Sequence, residues 1–274
     1  MRSSMPRDFS PTRVAARASQ ATGSAIRVAG VTKVYNSDSG PVAALDRIDL
    51  DIAEGEFVSL LGPSGCGKST LLHIVAGLTD ASSGNVDIAG SPAKADRTDV
   101  SIMLQRPVLF PWKNVLENVL LPAKVQRRSP AEAKDAAMHF LELTGLADFA
   151  TKQVWELSGG MKQRVSLARA LATDPPVLLM DEPFSALDEF TRERLNVELA
   201  RLHDENGRTT LFVTHNIAEA VFLSDRIVTM RPRPGGVVDV VDIALPRPRT
   251  TAQATSAASA ELAVKVRDSI SAYL

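Results

Sequence analysis

A glycine-rich stretch at residues 62–69, GPSGCGKS, carries the strongest chemical signal in the sequence. It matches the pattern G-x-x-x-x-G-K-[ST] of phosphate-binding loops, and it lies between an apolar run at 57–61 and a helix-like run at 70–77. Glycines let the backbone point its N–H groups at phosphate oxygens, and a helix N-terminus adds positive partial charge. Lys68 is expected to reach the β- and γ-phosphates of a nucleotide, and the Ser69 hydroxyl to bind Mg²⁺. The other predicted nucleotide-binding residues here are Gly62, Pro63, Ser64, Gly65, Cys66, Gly67 and Thr70.

Two adjacent carboxylates, Asp181 and Glu182, end a second apolar run at 177–180. An isolated buried charge is costly, so two acids at the end of a buried strand indicate a functional role. Because neighbouring side chains of a strand point to opposite sides, one acid can bind a metal while the other faces a water. We predict Asp181 as a ligand of Mg²⁺ and Glu182 as the general base. For the pair alone, the alternative is two solvated acids at a strand end.

A third motif, LSGGMKQR at residues 157–164, combines a helix N-cap with two glycines. Ser158 is a favourable N-cap, and Gly159 and Gly160 allow a ligand to approach the backbone. A helical pattern follows to about residue 172. The motif predicts a second anion-binding element in the same chain, with an ordinary helix start as the alternative.

The elements that must position these motifs alternate between strands and helices. Alternating apolar and polar residues at 26–35 and 46–52 predict half-buried strands. Further strands are predicted at 57–61, 85–89, 177–180, 210–214 and 226–230, and helices at 70–77, 131–146, 191–205, 216–223 and 259–274. This alternation implies a mainly parallel sheet. Because the region from about 113 to 172 is helical, we predict an α/β core interrupted by a helical insert.

Composition limits the classes of function. The 274 residues carry a net charge of −1, with 45% apolar and 23% charged residues, as in an ordinary globular protein, and no global basic field predicts nucleic-acid binding. No apolar run approaches the ~18–20 residues that span a bilayer, so any membrane role is expected to need a partner. A single cysteine, Cys66, suits a reducing compartment. Residues 1–25, rich in Arg and Ser, predict a disordered extension, with a transit peptide as the alternative.

LSGGMKQR lies between the phosphate-binding loop and the Asp181–Glu182 pair, and with this order of motifs the chain resembles the nucleotide-binding subunits of ABC transporters over roughly residues 26–250. The resemblance implies a P-loop NTPase (RecA-like) core with a mainly parallel sheet, an N-terminal antiparallel β-subdomain, and a helical subdomain at about 106–172. That subdomain carries the signature motif, 157–164, and residues 251–274 form a C-terminal tail with a possible short helix. In this family two subunits pack head to tail, so that the signature motif of one closes over the ATP held by the other.

The same resemblance implies roles for four further positions. Tyr35 is similar to the aromatic residue that stacks on adenine, although a packed strand-end tyrosine is the alternative. Gln105 resembles the Q-loop glutamine that contacts Mg²⁺ and the γ-phosphate. Asp188 ends a segment, SALD, that resembles the D-loop at the dimer interface. His215 resembles the switch histidine that contacts the γ-phosphate and holds Glu182 in place.

Four stretches resemble the importer branch that serves nitrate, sulfonates and taurine. They are residues 110–112 with 115–119, 187–195, 211–230 and 245–249. Trp112 lies where this family docks the membrane subunit, although a buried tryptophan of the insert is the alternative. Asn216 departs from the aspartate that is common after the switch histidine.

The preferred hypothesis is therefore an ATPase subunit of an importer at the cytoplasmic face of the membrane. Its expected partners are a second copy, separate transmembrane permease subunits and, indirectly, an extracytoplasmic solute-binding protein, with no nucleic acid. One alternative is a soluble ABC ATPase acting on nucleic acid or ribosomes, which usually has two cassettes, a coiled coil or basic segments. Another alternative is a P-loop kinase, which the signature motif and the Asp181–Glu182 pair favour less.

Overall fold

Two β-sheets organise the part of the chain that the computed structural model describes, residues 24–38, 40–271 and 273. The smaller sheet is antiparallel, with strand order β2-β1-β4-β5, and the larger sheet has the order β10-β9-β3-β8-β7-β6. The strands are β1 (Ser24–Ser37), β2 (Gly40–Ala53), β3 (Phe57–Leu61), β4 (Ser83–Ile88), β5 (Ser91–Pro92), β6 (Val100–Met103), β7 (Val177–Asp181), β8 (Thr209–Thr214), β9 (Arg226–Arg231) and β10 (Gly236–Asp242). In the larger sheet all pairs are parallel except β10 with β9.

The central strands β3, β7 and β8 are buried along their whole length, because helices or the smaller sheet cover both faces of the larger sheet. Their side chains alternate between two cores, as the period of a strand requires. Phe57, Leu178, Met180 and Phe212 belong to one core, and Val58, Leu60, Leu179, Leu211 and Val213 belong to the other. This arrangement explains why β3 was predicted with its observed bounds from a continuous apolar run.

The helices fill the two sides of the larger sheet. They are α1 (Lys68–Val75), α2 (Val115–Val125), α3 (Pro130–Leu143), α4 (Gly159–Leu171), α5 (Glu189–Asn206), α6 (Ile217–Leu223), α7 (Thr251–Ala254) and α8 (Ala257–Ser271), with 3-10 turns at Ala147–Phe149 and Val154–Glu156. Helices α2, α3 and α4 pack against one another and form the predicted helical insert. A capping box between Asn114 and Glu117 begins α2, and Pro130 is the first residue of α3.

The structure differs from the sequence predictions at both ends of the described chain. Ser24 and Ala25 were assigned to a disordered extension, but they begin β1, where Ser24 pairs with Ala53. Residues 1–23 lie outside the described ranges. Residues 251–274 were predicted as a tail with a possible short helix. The helix is present as α8, but it packs on α6, β9 and β10 and buries Val266 and Ile270, so this segment is part of the folded unit.

Three strands, β5, β6 and β10, were not predicted. Strands β5 and β6 have only two and four residues, which is too short for a clear alternation. Strand β10 is an edge strand, and its middle residues are only half-buried. Within the described ranges, no helix has both the length and the apolar character required to cross a lipid bilayer.

The stretch at 245–249 has a structural role, because its arginines join α5 to the start of β9. Arg247 donates to Asp204 at 2.6 Å, to Asp225 at 2.9 Å and to the carbonyl of Leu223 at 2.9 Å. Burial alone would raise the pKa of the Asp225 carboxyl, but His203, the N–H of Phe57 and Arg247 outweigh it and lower the pKa to about 2.

We expect Arg247→Ala to lower the free energy of unfolding by roughly 2 kcal/mol, because it removes the guanidinium that two partly buried carboxylates share. Denaturant unfolding at neutral pH measures this change. Arg201→Ala is the matched control, since Arg201 pairs with Glu198 and Glu205 on the exposed surface of α5. Its expected cost is at most ~1 kcal/mol. Equal losses in the two variants would contradict the proposed role of Arg247.

Candidate functional site

The phosphate-binding loop, residues 62–69, connects the end of β3 to α1. The helix begins at Lys68, and its N-cap, Gly67, has a φ of +91°, in the region that favours glycine. A Cβ atom at Gly67 would lie 2.5 Å from Leu45 Cδ2 and 3.0 Å from the carbonyl oxygen of Ala44. Glycine is therefore required here both by the backbone conformation and by the close approach of β2.

The side chain of Lys68 folds back over this loop. Its amine donates to the carbonyl oxygens of Gly62 at 2.7 Å and Pro63 at 3.0 Å, and it lies 3.7 Å from Cys66 Sγ. Lys68 is only 5% exposed. The positive charge is thus held inside the turn of backbone that the sequence predicts to surround phosphate.

The Ser69 hydroxyl donates a hydrogen bond of 3.0 Å to Asp181 Oδ1, which joins the first turn of α1 to the end of β7. Asp181 is 1% exposed. Burial raises the pKa of its carboxyl, and the hydrogen bond from Ser69 opposes this increase. A cation at this point would offset the cost of keeping the buried carboxylate ionised.

Glu182 occupies a strained backbone position between two polar side chains. Its φ is +47°, so the chain leaves the strand conformation directly after Asp181. Its carboxylate accepts a hydrogen bond of 3.1 Å from Gln105 Nε2 and lies 3.4 Å from His215 Nδ1. The two acids therefore have different partners, and because Glu182 lies in a turn beyond β7, the predicted strand alternation does not apply to this pair.

The structure thus brings together the residues that follow four parallel strands. The phosphate-binding loop follows β3, Gln105 follows β6, Glu182 follows β7 and His215 follows β8. In an open α/β sheet, the edge formed by the carboxyl ends of the strands is where ligands bind. This cluster can hold a phosphate chain at Lys68 and present a carboxylate to a water.

The oxygen atoms of Ser69 and Asp181 are the donors that suit Mg²⁺. In the described part of the chain, no three His, Cys, Asp or Glu side chains come together as a metal cluster. Mg²⁺ does not require such a cage, because it commonly takes one or two carboxylates and completes its shell with phosphate and water. The donor set therefore fits Mg²⁺ bound together with a nucleotide.

The signature motif begins α4, and Ser158 and Gly159, at the start of this helix, are exposed. The Ser158 hydroxyl accepts a hydrogen bond of 3.3 Å from the N–H of Met161, as an N-cap does. A Cβ atom at Gly159 would meet no atom within 4 Å, whereas one at Gly160 would lie 3.0 Å from the carbonyl oxygen of Ala186. The motif therefore packs on the segment 185–188 and leaves the N-terminus of α4 open.

Asp188 and Tyr35 have structural contacts that are compatible with their predicted roles. Asp188 caps α5, and the N–H of Thr191 lowers the pKa of its carboxyl.

Tyr35 is 41% exposed, and the amine of Lys33 lies 4.9 Å from the centre of its ring. Lys33 of β1 pairs with Leu45 of β2, and the side chain of Leu45 lies close to Gly67. Tyr35 is two residues further along β1 from this contact. The ring is not packed into the core, which was the alternative.

A group of exposed aromatic residues, here named the aromatic surface, lies on the helical insert. Trp112 is 71% exposed and Trp155 is 68% exposed, so the alternative of a buried Trp112 is wrong. An antiparallel bridge between Asn114 and Gln153 brings their two segments side by side. Trp155 was not predicted, because a single aromatic residue in a short 3-10 turn gives no periodic signal.

Residues 45–185 match the family described as ABC transporter. The chain is 42% identical to an uncharacterized ABC transporter ATP-binding protein of Methanocaldococcus jannaschii, over 82% of this chain and 84% of that protein. The chain belongs to the ABC transporter family. A nitrate import ATP-binding protein of Synechococcus elongatus is 42% identical over 80% of this chain and 81% of its own length. A taurine import ATP-binding protein of Rhizobium johnstonii is 46% identical over 74% of this chain and 77% of its own length.

Solved structures of ABC cassettes share the fold. A dimeric post-hydrolysis state of an ATP-binding cassette bound to ADP and Pi superposes with a TM-score of 0.74 and 35% identity, and covers 81% of this chain and 100% of that chain. The predicted fold class, a P-loop NTPase core with an antiparallel sheet and a helical insert, is confirmed. As an ABC cassette, the chain binds and hydrolyses ATP. The role of each site residue remains a prediction.

We expect Gly67→Ala to weaken ATP binding at least tenfold, because the new methyl group would displace β2 or the loop. Titration with a fluorescent ATP analogue measures the affinity. Gly90→Ala is the matched control, since Gly90 also has a positive φ, of +72°, but faces open space. The control should share the backbone strain, of order 1 kcal/mol, without a change in affinity. Equal affinity losses in both variants would show that strain, and not the close approach, decides binding.

Proposed function

We propose that this chain is the ATPase subunit of an importer for a small solute such as nitrate, an aliphatic sulfonate or taurine. The observation that carries the ATPase part of the proposal is the position of Glu182, between Gln105 and His215 and next to the Ser69–Asp181 pair. Relatives named as nitrate and taurine import subunits support the importer assignment. The relatives' names give no support to the alternative of a soluble ABC ATPase acting on nucleic acid or ribosomes.

In the proposed site, the nucleotide lies along the phosphate-binding loop. The N–H groups of residues 64–70 bind phosphate oxygens, and Lys68 exchanges its carbonyl partners for the β- and γ-phosphates. Tyr35 stacks on the adenine. Ser69, Asp181 and the amide oxygen of Gln105 would hold Mg²⁺, which would supply positive charge against the charge that develops on the phosphates.

Glu182 acts as the general base in this proposal. Its carboxylate accepts the proton of the attacking water, and His215 and Gln105 fix the orientation of the carboxylate. The side chain of His215 is 61% exposed, so its imidazole is accessible to the γ-phosphate of a bound nucleotide. The strained φ of Glu182 is consistent with a position that the surrounding contacts maintain for catalysis.

The active form is a head-to-tail dimer of two copies. The open N-terminus of α4 supports this proposal. Ser158 and the N–H groups of Gly159 and Gly160 have room to bind the γ-phosphate of the ATP that the second copy holds. The segment 185–188, which ends at Asp188, lies against the same motif and would cross the dimer interface.

Separate permease subunits complete the transporter, with a solute-binding protein acting on the other side of the membrane. The aromatic surface supports a permease contact, because two large exposed tryptophans in one region are typical of an interface. The chain then works at the cytoplasmic face of the membrane.

We expect Glu182→Gln to retain ATP binding but to lower kcat at least a hundredfold, since the amide does not accept the proton of water. Phosphate release measures turnover, and light scattering measures the dimer, which should accumulate with ATP because hydrolysis no longer opens it. Glu193→Gln, at an exposed position of α5, is the control and should keep normal turnover. Normal turnover in Glu182→Gln would falsify the assignment of the base.

We expect Trp112→Ser to leave the ATPase activity and thermal stability of the isolated chain unchanged, because this side chain is exposed. The variant should lose most of its co-purification with the permease subunits of the transporter. Val125→Ser, which removes another apolar side chain that is 71% exposed, is the control. Undiminished permease binding by Trp112→Ser would exclude this residue from the contact.

A further inference from the structure

Glu219 is a buried acid for which the proposed reaction has no use. It lies in α6, one turn after His215, and is only 8% exposed. Burial raises the pKa of its carboxyl, and the hydrogen bond from Thr214 and the charge of Arg192 oppose this increase. Because burying a carboxylate is costly, its partners indicate what the chain gains from it.

The partners of Glu219 hold the backbone on both sides of His215. The Thr214 hydroxyl donates to Glu219 Oε2 at 2.7 Å and accepts from the N–H of Asn216 at 3.0 Å. Asn216 in turn caps α6 by accepting from the N–H of Glu219 at 3.2 Å. His215 itself is mostly exposed, so its orientation toward Glu182 depends on the two residues beside it.

Arg192 connects this group to the segment 185–188. Its Nε lies 3.6 Å from Glu219 Oε1, and its Nη2 donates to the carbonyl oxygen of Leu187 at 3.0 Å. Ser185, at the start of the segment, donates to the carbonyl oxygen of Glu182 at 3.0 Å. Glu182 is therefore contacted from two directions, by Ser185 of the segment 185–188 and by His215 across the site.

We propose that Glu219 is a positioning residue for His215, and that Arg192 couples it to the segment 185–188. The inference rests on the proposed roles of Glu182 and His215. An ionised Glu219 fixes the Thr214 hydroxyl, which fixes the N–H of Asn216, and the imidazole is thereby aimed at Glu182. If a second copy displaced the segment 185–188, the movement would be transmitted to His215 through the Arg192–Glu219 pair.

The test begins with Glu219→Ala and Glu219→Gln. We expect Glu219→Ala to lower kcat about tenfold while the KM for ATP changes less than about twofold, because nucleotide binding does not involve this group. Glu219→Gln should recover part of the loss, to about threefold, since its amide oxygen can still accept from Thr214. Rates are divided by the fraction of chains that bind nucleotide, which removes losses caused by unfolding.

The deciding experiment repeats Glu219→Ala in a His215→Ala background. If Glu219 acts through His215, the second change should lower the residual kcat by less than about twofold. Arg192→Ala should show the same loss of additivity with both residues. Glu198→Ala, which breaks an exposed pair with Arg201 on α5, is the control and should leave kcat unchanged in either background.

Three results would overturn the inference: an unchanged kcat in Glu219→Ala, an increase in KM alone, or the full tenfold loss repeated in the His215→Ala background. The last result would assign Glu219 to support of the fold. A His215→Ala variant with normal turnover would instead refute the proposed role of His215, so failure of the proposed function is distinguished from failure of this inference.

Discussion

The parallel pairing of β3, β8, β7 and β6 is the constraint on which the site depends. Parallel strands end at the same edge, so residues that are more than a hundred positions apart in the sequence meet there. The hydrogen bond between Ser69 and Asp181 joins two of these ends directly. A shift of one residue in the register of β7 would turn Asp181 to the other face of the sheet and break this contact. The burial of both faces of the sheet therefore also fixes the geometry of the site.

The polar residues at this edge are held by other polar residues, and not by the core. Lys68 bonds backbone carbonyls, Asp181 bonds a hydroxyl and Glu182 lies between an amide and an imidazole. Each of these partners can be exchanged for a nucleotide oxygen or a water at little cost, because one hydrogen bond replaces another. A site built in this way can remain ordered without ligand and still admit one.

The residues that a short local pattern identifies could be predicted from the sequence. The loop 62–69 and the bounds of β3 follow from glycine spacing and a continuous apolar run, which act over a few residues. The role of Gln105 needed the family resemblance, because no local pattern distinguishes it. Glu219 and Trp155 were missed, since burial of an acid and exposure of a tryptophan are properties of the folded chain. The left-handed turn at Glu182 was missed for the same reason.

Asn216 stands where the family commonly has aspartate, and its contacts show which side chains the fold accepts at this position. The position requires a side chain that accepts hydrogen bonds from the N–H groups of Ala218 and Glu219, and an asparagine oxygen does this as well as a carboxylate. With Glu219 buried one turn away, a neutral cap also avoids a second negative charge beside it. The substitution therefore keeps the helix start that follows His215 while reducing the electrostatic cost of the buried acid.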